Sequence, residues 1–408
     1  MQSLLKISQQ TLWQVLGKIV ISTSAFIVLG MVARVYGEGG TGIFTLAITY
    51  LAMFHLLNDF GFNAHLLRGF SDLGSADQSK IWRKLLGTRI LWALCLMFFA
   101  IGLLPLWKFA GGQFSLAVIL GVFTIVGSSV FITCNLIFQN KLRYDLSIIA
   151  SISGTISYLG IAFWFSSTNS SLPYLVFAQT IGWVVIALMS VVLTKRYVNS
   201  VLPILDYQFS LDLIKKSWPI AATLALNVIY FRADAFILAY FRSSSDVGIY
   251  NVAYQVFQTA LVLPTFIMNA YYPLMLKTFK GMKFVALGLL SLAILGTLIT
   301  FVVSPFVIAV ITGSGFTGST QSLQILSLGF PAYFLSALLM WVMVAKGEYR
   351  LLLTIYAVGL AVNLILNLLY IPKYSYVAAS YITVISEYLI LGMQIMVLLF
   401  ERKREPTS

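Results

Sequence analysis

RADAFILAYFRSSSDVGIYNVAYQVFQTALVLPTFIMNAYYP, running from Arg232 to Pro273, consists of two long apolar runs joined by a short polar turn at Arg242–Asp246. Each run is long enough to cross a bilayer as a helix, which takes roughly 20 predominantly apolar residues. Arg232 and Asp234 lie inside the first run, and amides and tyrosines recur at helical spacing along the second. Charges inside such segments are costly in lipid, so they face a protein interior or a water-filled path. They are the first candidates for function.

The composition of the whole chain agrees with this reading. Its 408 residues are 60% apolar and 10% charged, whereas a soluble globular chain carries roughly 25% charged residues. Mean hydropathy is +0.92. The chain is therefore read as an integral membrane protein, and its net charge of +13 is not taken as a sign of a nucleic-acid partner. Cys95 and Cys134 both lie in apolar runs and read as small core residues. With only two histidines besides, neither a metal site nor a cofactor is expected. The polar start MQSLLKISQQ leads into a full-length apolar run without a small-residue cleavage site, so an uncleaved first helix is predicted.

Apolar runs bounded by polar turns predict twelve spans: Thr11–Tyr36, Gly42–Phe62, Leu85–Leu106, Phe114–Phe138, Leu146–Phe165, Leu172–Leu193, Leu213–Phe241, Val247–Tyr272, Val285–Ile311, Leu323–Ala345, Leu351–Tyr370 and Val377–Phe400. Pro264 and Pro305 are expected to kink the eighth and ninth. With a cytoplasmic N-terminus, nineteen of the 26 Lys and Arg residues fall on the inner side and four on the outer. Cytoplasmic loops keep positive charge during insertion, so both termini are placed inside. The predicted organisation is an N-terminal six-helix lobe (1–194), a cytoplasmic linker (195–212), a C-terminal six-helix lobe (213–400) and a basic tail (401–408).

A shift of 206 residues sets Gly42-Ile43 on Gly248-Ile249, Ala47 on Ala253, Leu57 on Leu263, Phe60 on Phe266 and Asn63-Ala64 on Asn269-Ala270. Six spans in each half make the implied duplication a parallel one, with a site expected between the lobes near the midplane.

Lys18, Asp59, Arg89, Arg232, Asp234 and Glu387 are the ionisable residues within the spans. Arg89 and Asp59 lie near cytoplasmic ends, and Arg89 is expected to reach the interface along its own stem. The others sit deeper. Residues three, four and seven apart share a helical face, which groups Thr223, Asn227, Tyr230 and Asp234 on the seventh span. Asn251, Tyr254, Gln255, Gln258, Thr265 and Asn269 group on the eighth, Gln14, Lys18 and Ser22 on the first, and His55, Asp59 and Asn63 on the second. Such stripes suit a wet cavity, and they equally suit hydrogen bonding between packed helices. Asp59, Asp234 and Glu387 are candidates for ion or proton coupling. His55 could pass protons to Asp59 or simply pack. Neither a phosphate-binding Gly-x-x-x-x-Gly-Lys-Ser/Thr loop nor a large outer loop is present, which disfavours a membrane glycosyltransferase or polymerase.

LLNDFGFNAHLLR (Leu56–Arg68) after TGIF, and the Asp234 run followed by a serine-bearing turn, Val247-Gly248-Ile249-Tyr250 and Ala253-Tyr254, resemble the Wzx-type polysaccharide flippases of the multidrug/oligosaccharidyl-lipid/polysaccharide exporter superfamily. The resemblance implies a twelve-helix, two-lobed protein of the bacterial cytoplasmic membrane. It would move an undecaprenyl-pyrophosphate-linked oligosaccharide to the outer leaflet, alongside a polysaccharide polymerase and chain-length machinery. It implies Lys18 and Arg232 as counter-charges to the pyrophosphate, and Tyr230, Tyr250 and Tyr254 as sugar-facing groups, with Asn227, Gln255, Gln258 and Asn269 in the same cavity. The alternative it carries is a cation-coupled multidrug exporter of the same fold. Lipid II flippases normally have two helices more than this chain.

Overall fold

The computed structural model describes residues 2–109 and 111–404 of the 408, without the side chains of 2–9, 11, 12, 68, 223–231 and 401–404. Among the described residues every regular element is helical. In order these are α1 (Gln2–Asp59), α2 (Phe62–Phe70), α3 (Ser75–Gly102), a 3-10 turn at Leu104–Leu106, α4 (Gly112–Gly121), α5 (Phe123–Asn140), α6 (Tyr144–Ser167) and α7 (Pro173–Thr194). There follow α8 (Tyr207–Phe241), α9 (Ser244–Ala260), α10 (Val262–Met275), α11 (Met282–Thr312), α12 (Thr317–Ser327), α13 (Phe330–Lys346) and α14 (Tyr349–Arg404). Among the described residues seven helices are long and apolar enough to cross a membrane, or eight if the pair α12–α13, bent by 44°, is one broken span. Only 11% of the apolar window of α11 is buried within the protein. A stable helix with so much exposed apolar surface needs lipid around it, and the chain is a multi-pass membrane protein.

The longest helices are bent where the backbone leaves helical geometry. Gly37 (φ 64°) divides α1 and Ser375 (φ 54°) divides α14. At Pro264 the expected kink is a break: the proline supplies no N–H to the carbonyl of Ala260, and Ala260 is the last residue of α9. Pro305, in contrast, lies inside a continuous α11. The carbonyl it frees, that of Phe301, accepts from Gln324 Nε2 at 3.0 Å and Ser304 Oγ at 3.3 Å. Side chains have restored what the proline removed.

The chain forms two compact units, Met1–Tyr36 with Ile43–Arg232, and Gly37–Gly42 with Ala233–Ser408. In unit 1, α7 packs along α4, α5 and α6, and α5 also lies against α3. This unit holds a core of Phe62, Phe70, Trp82, Leu85 and Phe138, in which Trp82 Nε1 donates to the carbonyl of Thr133 at 3.0 Å. In unit 2, α9 packs on α12 and α14, and α13 on α10, α11 and α14.

The change of unit falls inside α8, at Arg232/Ala233, and not in the 195–212 linker. The linker is bound along α3: Ser79 Oγ accepts from Asn199 N–H, Arg83 Nε donates to Leu202 O, the Arg83 carbonyl accepts from Ile204 N–H, and Lys84 Nζ meets Asp206 Oδ2 at 2.6 Å. Asn199 through Asp206 thus runs as a strap over one side of α3. The Lys84 hydrogen bond holds the Asp206 carboxyl below its ordinary range. The basic tail (401–408), together with Lys6 and Arg68, is outside the described side chains. Of the two cysteines, Cys134 is a core residue as expected, while Cys95 is exposed because its side of α3 faces out of the unit.

Candidate functional site

In unit 1, Gly17 packs against Ile148 of α6, and Lys18, one residue on, is exposed. The other arm of α1 turns its polar groups toward α5. His55 Nε2 lies 2.9 Å from Thr124 Oγ1, with its ring edge-on to Trp183 of α7 at 5.3 Å. Asn58, fully buried, donates from Nδ2 to Ile125 O at 3.1 Å and to Ser128 Oγ at 3.0 Å. His55 is thus a packing group among α1, α5 and α7. Asn58 was not singled out from the sequence, although it shares a face with His55 three residues before it.

Arg89 does not reach an interface. Its side chain is 0% exposed and lies over the ring of Phe62 at 5.2 Å. Nη1 donates to the Asn58 carbonyl at 3.0 Å and Nη2 to Asn63 Oδ1 at 2.9 Å, while Asp59 Oδ1 stands 3.5 Å away with its side chain 40% exposed. The expectation that Arg89 snorkels fails because α1 ends at Asp59, one helix away, and leaves carbonyls that a guanidinium can satisfy inside the protein.

In unit 2, Asp234 near the end of α8 is buried, at 6% exposure. Its carboxylate accepts from the hydroxyl of Tyr250 on α9, from Ala235 N–H at 2.7 Å and from Thr383 Oγ1 on α14 at 3.5 Å. Tyr250 is 1% exposed and Tyr254 3%. Tyr254 lies tilted between Tyr250 and Phe257, the latter stacked on Phe330 of α13. Of the three tyrosines expected to face sugars, Tyr250 and Tyr254 are interior groups here, because the same face of α9 packs on α12 and α14. Gln255 and Gln258 are half-exposed and Asn269 exposed, so the stripe on the eighth span divides into a buried and an open side. Arg232 is half-exposed. The side chains of Asn227 and Tyr230 fall outside the described residues.

Glu387 is buried, at 4% exposure. The two arms of α14 are joined by Asn363 Nδ2, which donates to Ser386 Oγ at 3.0 Å; Asn367 Nδ2 donates to Asn363 Oδ1 at 2.9 Å along the first arm, and Ser380 of the second arm meets Ser322 of α12. These polar side chains join helices within the unit, as hydrogen bonding between packed membrane helices does. No group of three or more His, Cys, Asp or Glu among the described residues could hold a metal ion.

An all-helical multi-pass membrane protein with a buried carboxylate in unit 2 and a buried guanidinium in unit 1 is the class these features define. Residues 7–279, two thirds of the chain, match the family described as polysaccharide biosynthesis protein, and the chain belongs to that family. A Shigella dysenteriae protein named for O-antigen transport is 22% identical over 357 residues, covering 85% of this chain and 87% of its own. The fold is shared with the lipid II flippase MurJ in an inward closed conformation, at TM-score 0.76 and 13% identity over 94% of this chain and 87% of that one. An inward-facing multidrug resistance MATE transporter follows at TM-score 0.70 and 12% identity over 96% of each chain. A Pyrococcus furiosus transporter of the same superfamily gives 0.64 and 12%, over 98% of this chain and 95% of its own.

Proposed function

We propose that the chain is a flippase that carries an undecaprenyl-pyrophosphate-linked oligosaccharide repeat unit from the inner to the outer leaflet of the bacterial cytoplasmic membrane by alternating access. The observation that carries this reading is membership of the polysaccharide biosynthesis family across residues 7–279. The MurJ-like fold supports it. We read α1 and α14 as two crossings each, α4–α5, α9–α10 and α12–α13 as one broken crossing each, and α3, α6, α7, α8 and α11 as single crossings. That makes twelve, with both termini cytoplasmic. Lys18 and Arg232 are assigned to the pyrophosphate, whose oxygens pair well with cationic donors. Gln255, Gln258 and Asn269 are assigned to the glycan, with Asn227 and Tyr230 on the same reading. Tyr250 and Tyr254 are assigned to support of Asp234.

The test is deletion of the gene in its host. Loss of surface glycan, restored by the wild-type chain and only weakly by Lys18→Ala or Arg232→Ala at equal protein abundance, is the expected result. Full restoration by both variants would remove the pyrophosphate assignment. A second reading, a cation-coupled multidrug exporter, is favoured by the buried Asp234 carboxylate with its two hydroxyl donors. Unchanged glycan with raised drug sensitivity would select it. In either reading Asp234, and after it Glu387, is the group assigned to cation or proton coupling.

A further inference from the structure

Arg89 takes no part in the transport step as described above, yet it is among the largest fully buried side chains of the protein. Its position follows from the break between α1 and α2. Phe60 (φ 50°) and Gly61 (φ 73°) are both left-handed, so the helix stops and its last carbonyls lose their intrahelical donors. Within a membrane protein such carbonyls need protein donors. Two come from one face of α3: Trp92 Nε1 donates to Leu57 O at 3.1 Å and Arg89 Nη1 to Asn58 O at 3.0 Å. Arg89 Nη2 then crosses the break to Asn63 Oδ1, and Asn63 is itself fixed to α5 through Ile132 O at 2.8 Å. The break is a clamped corner.

Asp59, the last residue before the corner, is held differently. Its nearer oxygen is 3.5 Å from the guanidinium, against 2.9 Å for Asn63, and its side chain is 40% exposed. The carboxylate therefore keeps acceptor capacity for something else. A cation is a poor candidate, because Arg89 already supplies the counter-charge. A neutral hydroxyl is a good one, since a carboxylate accepts strong hydrogen bonds from hydroxyls without changing the charge of the pair. We propose that Asp59 is a sugar-hydroxyl acceptor for the carried glycan, and that Arg89 is the positioning residue that fixes it at the corner. This rests on the flippase reading and replaces the sequence-based assignment of Asp59 to ion coupling.

Carboxylate labelling tests it on the purified full-length protein, with a water-soluble carbodiimide and an amine, read at Asp59 by peptide mass spectrometry. The probes are the host's undecaprenyl-pyrophosphate-linked oligosaccharide and undecaprenyl pyrophosphate without sugar. The glycan-bearing lipid is expected to protect Asp59 and the bare lipid is not. Equal protection by both, or by neither, overturns the proposal. In cells Asp59→Ala is expected to lower glycan output per protein molecule about tenfold, the scale of one hydrogen bond to a charged group. Arg89→Lys keeps the charge without the fork, and is expected to accumulate normally while losing protection and output. If it retains both, Arg89 positions nothing. The double variant D59N/R89Q removes both charges; normal abundance without output is expected, and normal abundance with normal output would make the pair purely structural. Labelling protection is measured apart from surface glycan, so a failure of the flippase reading in the deletion strain is distinguishable from a failure here.

Discussion

At the scale of single residues Asp234 is held by three donors. A carboxylate at 6% exposure in a membrane protein needs donors, and the hydroxyl of Tyr250 is the nearest. Tyr250→Phe keeps the ring packing against Tyr254 and removes that donor. It is expected to cost about 1–3 kcal/mol, the penalty for an under-satisfied buried polar group, seen as a lower thermal midpoint in detergent. Asp234→Asn can still accept from Tyr250, so it should fold normally and lose the dependence of transport on an ion or proton gradient. Retained gradient dependence would move coupling to Glu387. The depth of Asp234 and Glu387 was legible in the sequence, since each lies inside a long apolar run. The burial of Arg89 was not, because it follows Lys80, Arg83 and Lys84 by a few residues and looks from its neighbours like an interfacial charge.

Among the elements, Gly42 of α1 and Gly248 of α9 pack backbone to backbone. A Cβ on Gly42 would overlap the carbonyl of Ser244, and one on Gly248 would overlap the carbonyl of Glu38. Glu38 Oε1 accepts from Phe316 N–H at 3.2 Å, on a residue with φ 56°. Glu38 and Gly42 lie 206 residues before Ser244 and Gly248, so the echo in the sequence reappears as a reciprocal backbone contact. Gly42→Ala and Gly248→Ala are each expected to cost about 1–3 kcal/mol, as overpacking does, and to lower membrane abundance. At the turn into α6, Arg143 Nη2 meets Asp145 Oδ2 at 2.8 Å. The pair is partly exposed, so Asp145→Asn is expected to lower the thermal midpoint only slightly; a midpoint equal to that of the wild type would contradict a stabilising role for the pairing.

For the whole molecule, the crossing number is the quantity to measure. Twelve crossings put both termini on the same side, and a fluorescent protein fused after Ser408 is expected to fluoresce as it does in the cytoplasm. A dark fusion at normal abundance would call for an odd number. The two units meet the chain twice within α1 and once within α8. The sequence placed that last passage in the linker, whose polarity looks like a boundary. Its hydrogen bonds to α3 keep it in unit 1.

The sequence alone determined the solvent this protein folds in and the interruption at Pro264, because hydropathy and backbone donors are sums over neighbouring residues; it did not determine the run of the helices, since α1 and α14 each continue across two predicted spans and Pro305 lies in an unbroken α11. It also determined which helices carry polar stripes. Only the tertiary structure decided which side of each stripe is closed: Tyr250 and Tyr254 inward, Gln255 and Asn269 outward, Arg89 beneath a broken helix and Asp59 beside it in the open. Whether a polar group is buried depends on what another helix, remote in sequence, brings against it, and no local pattern holds that information.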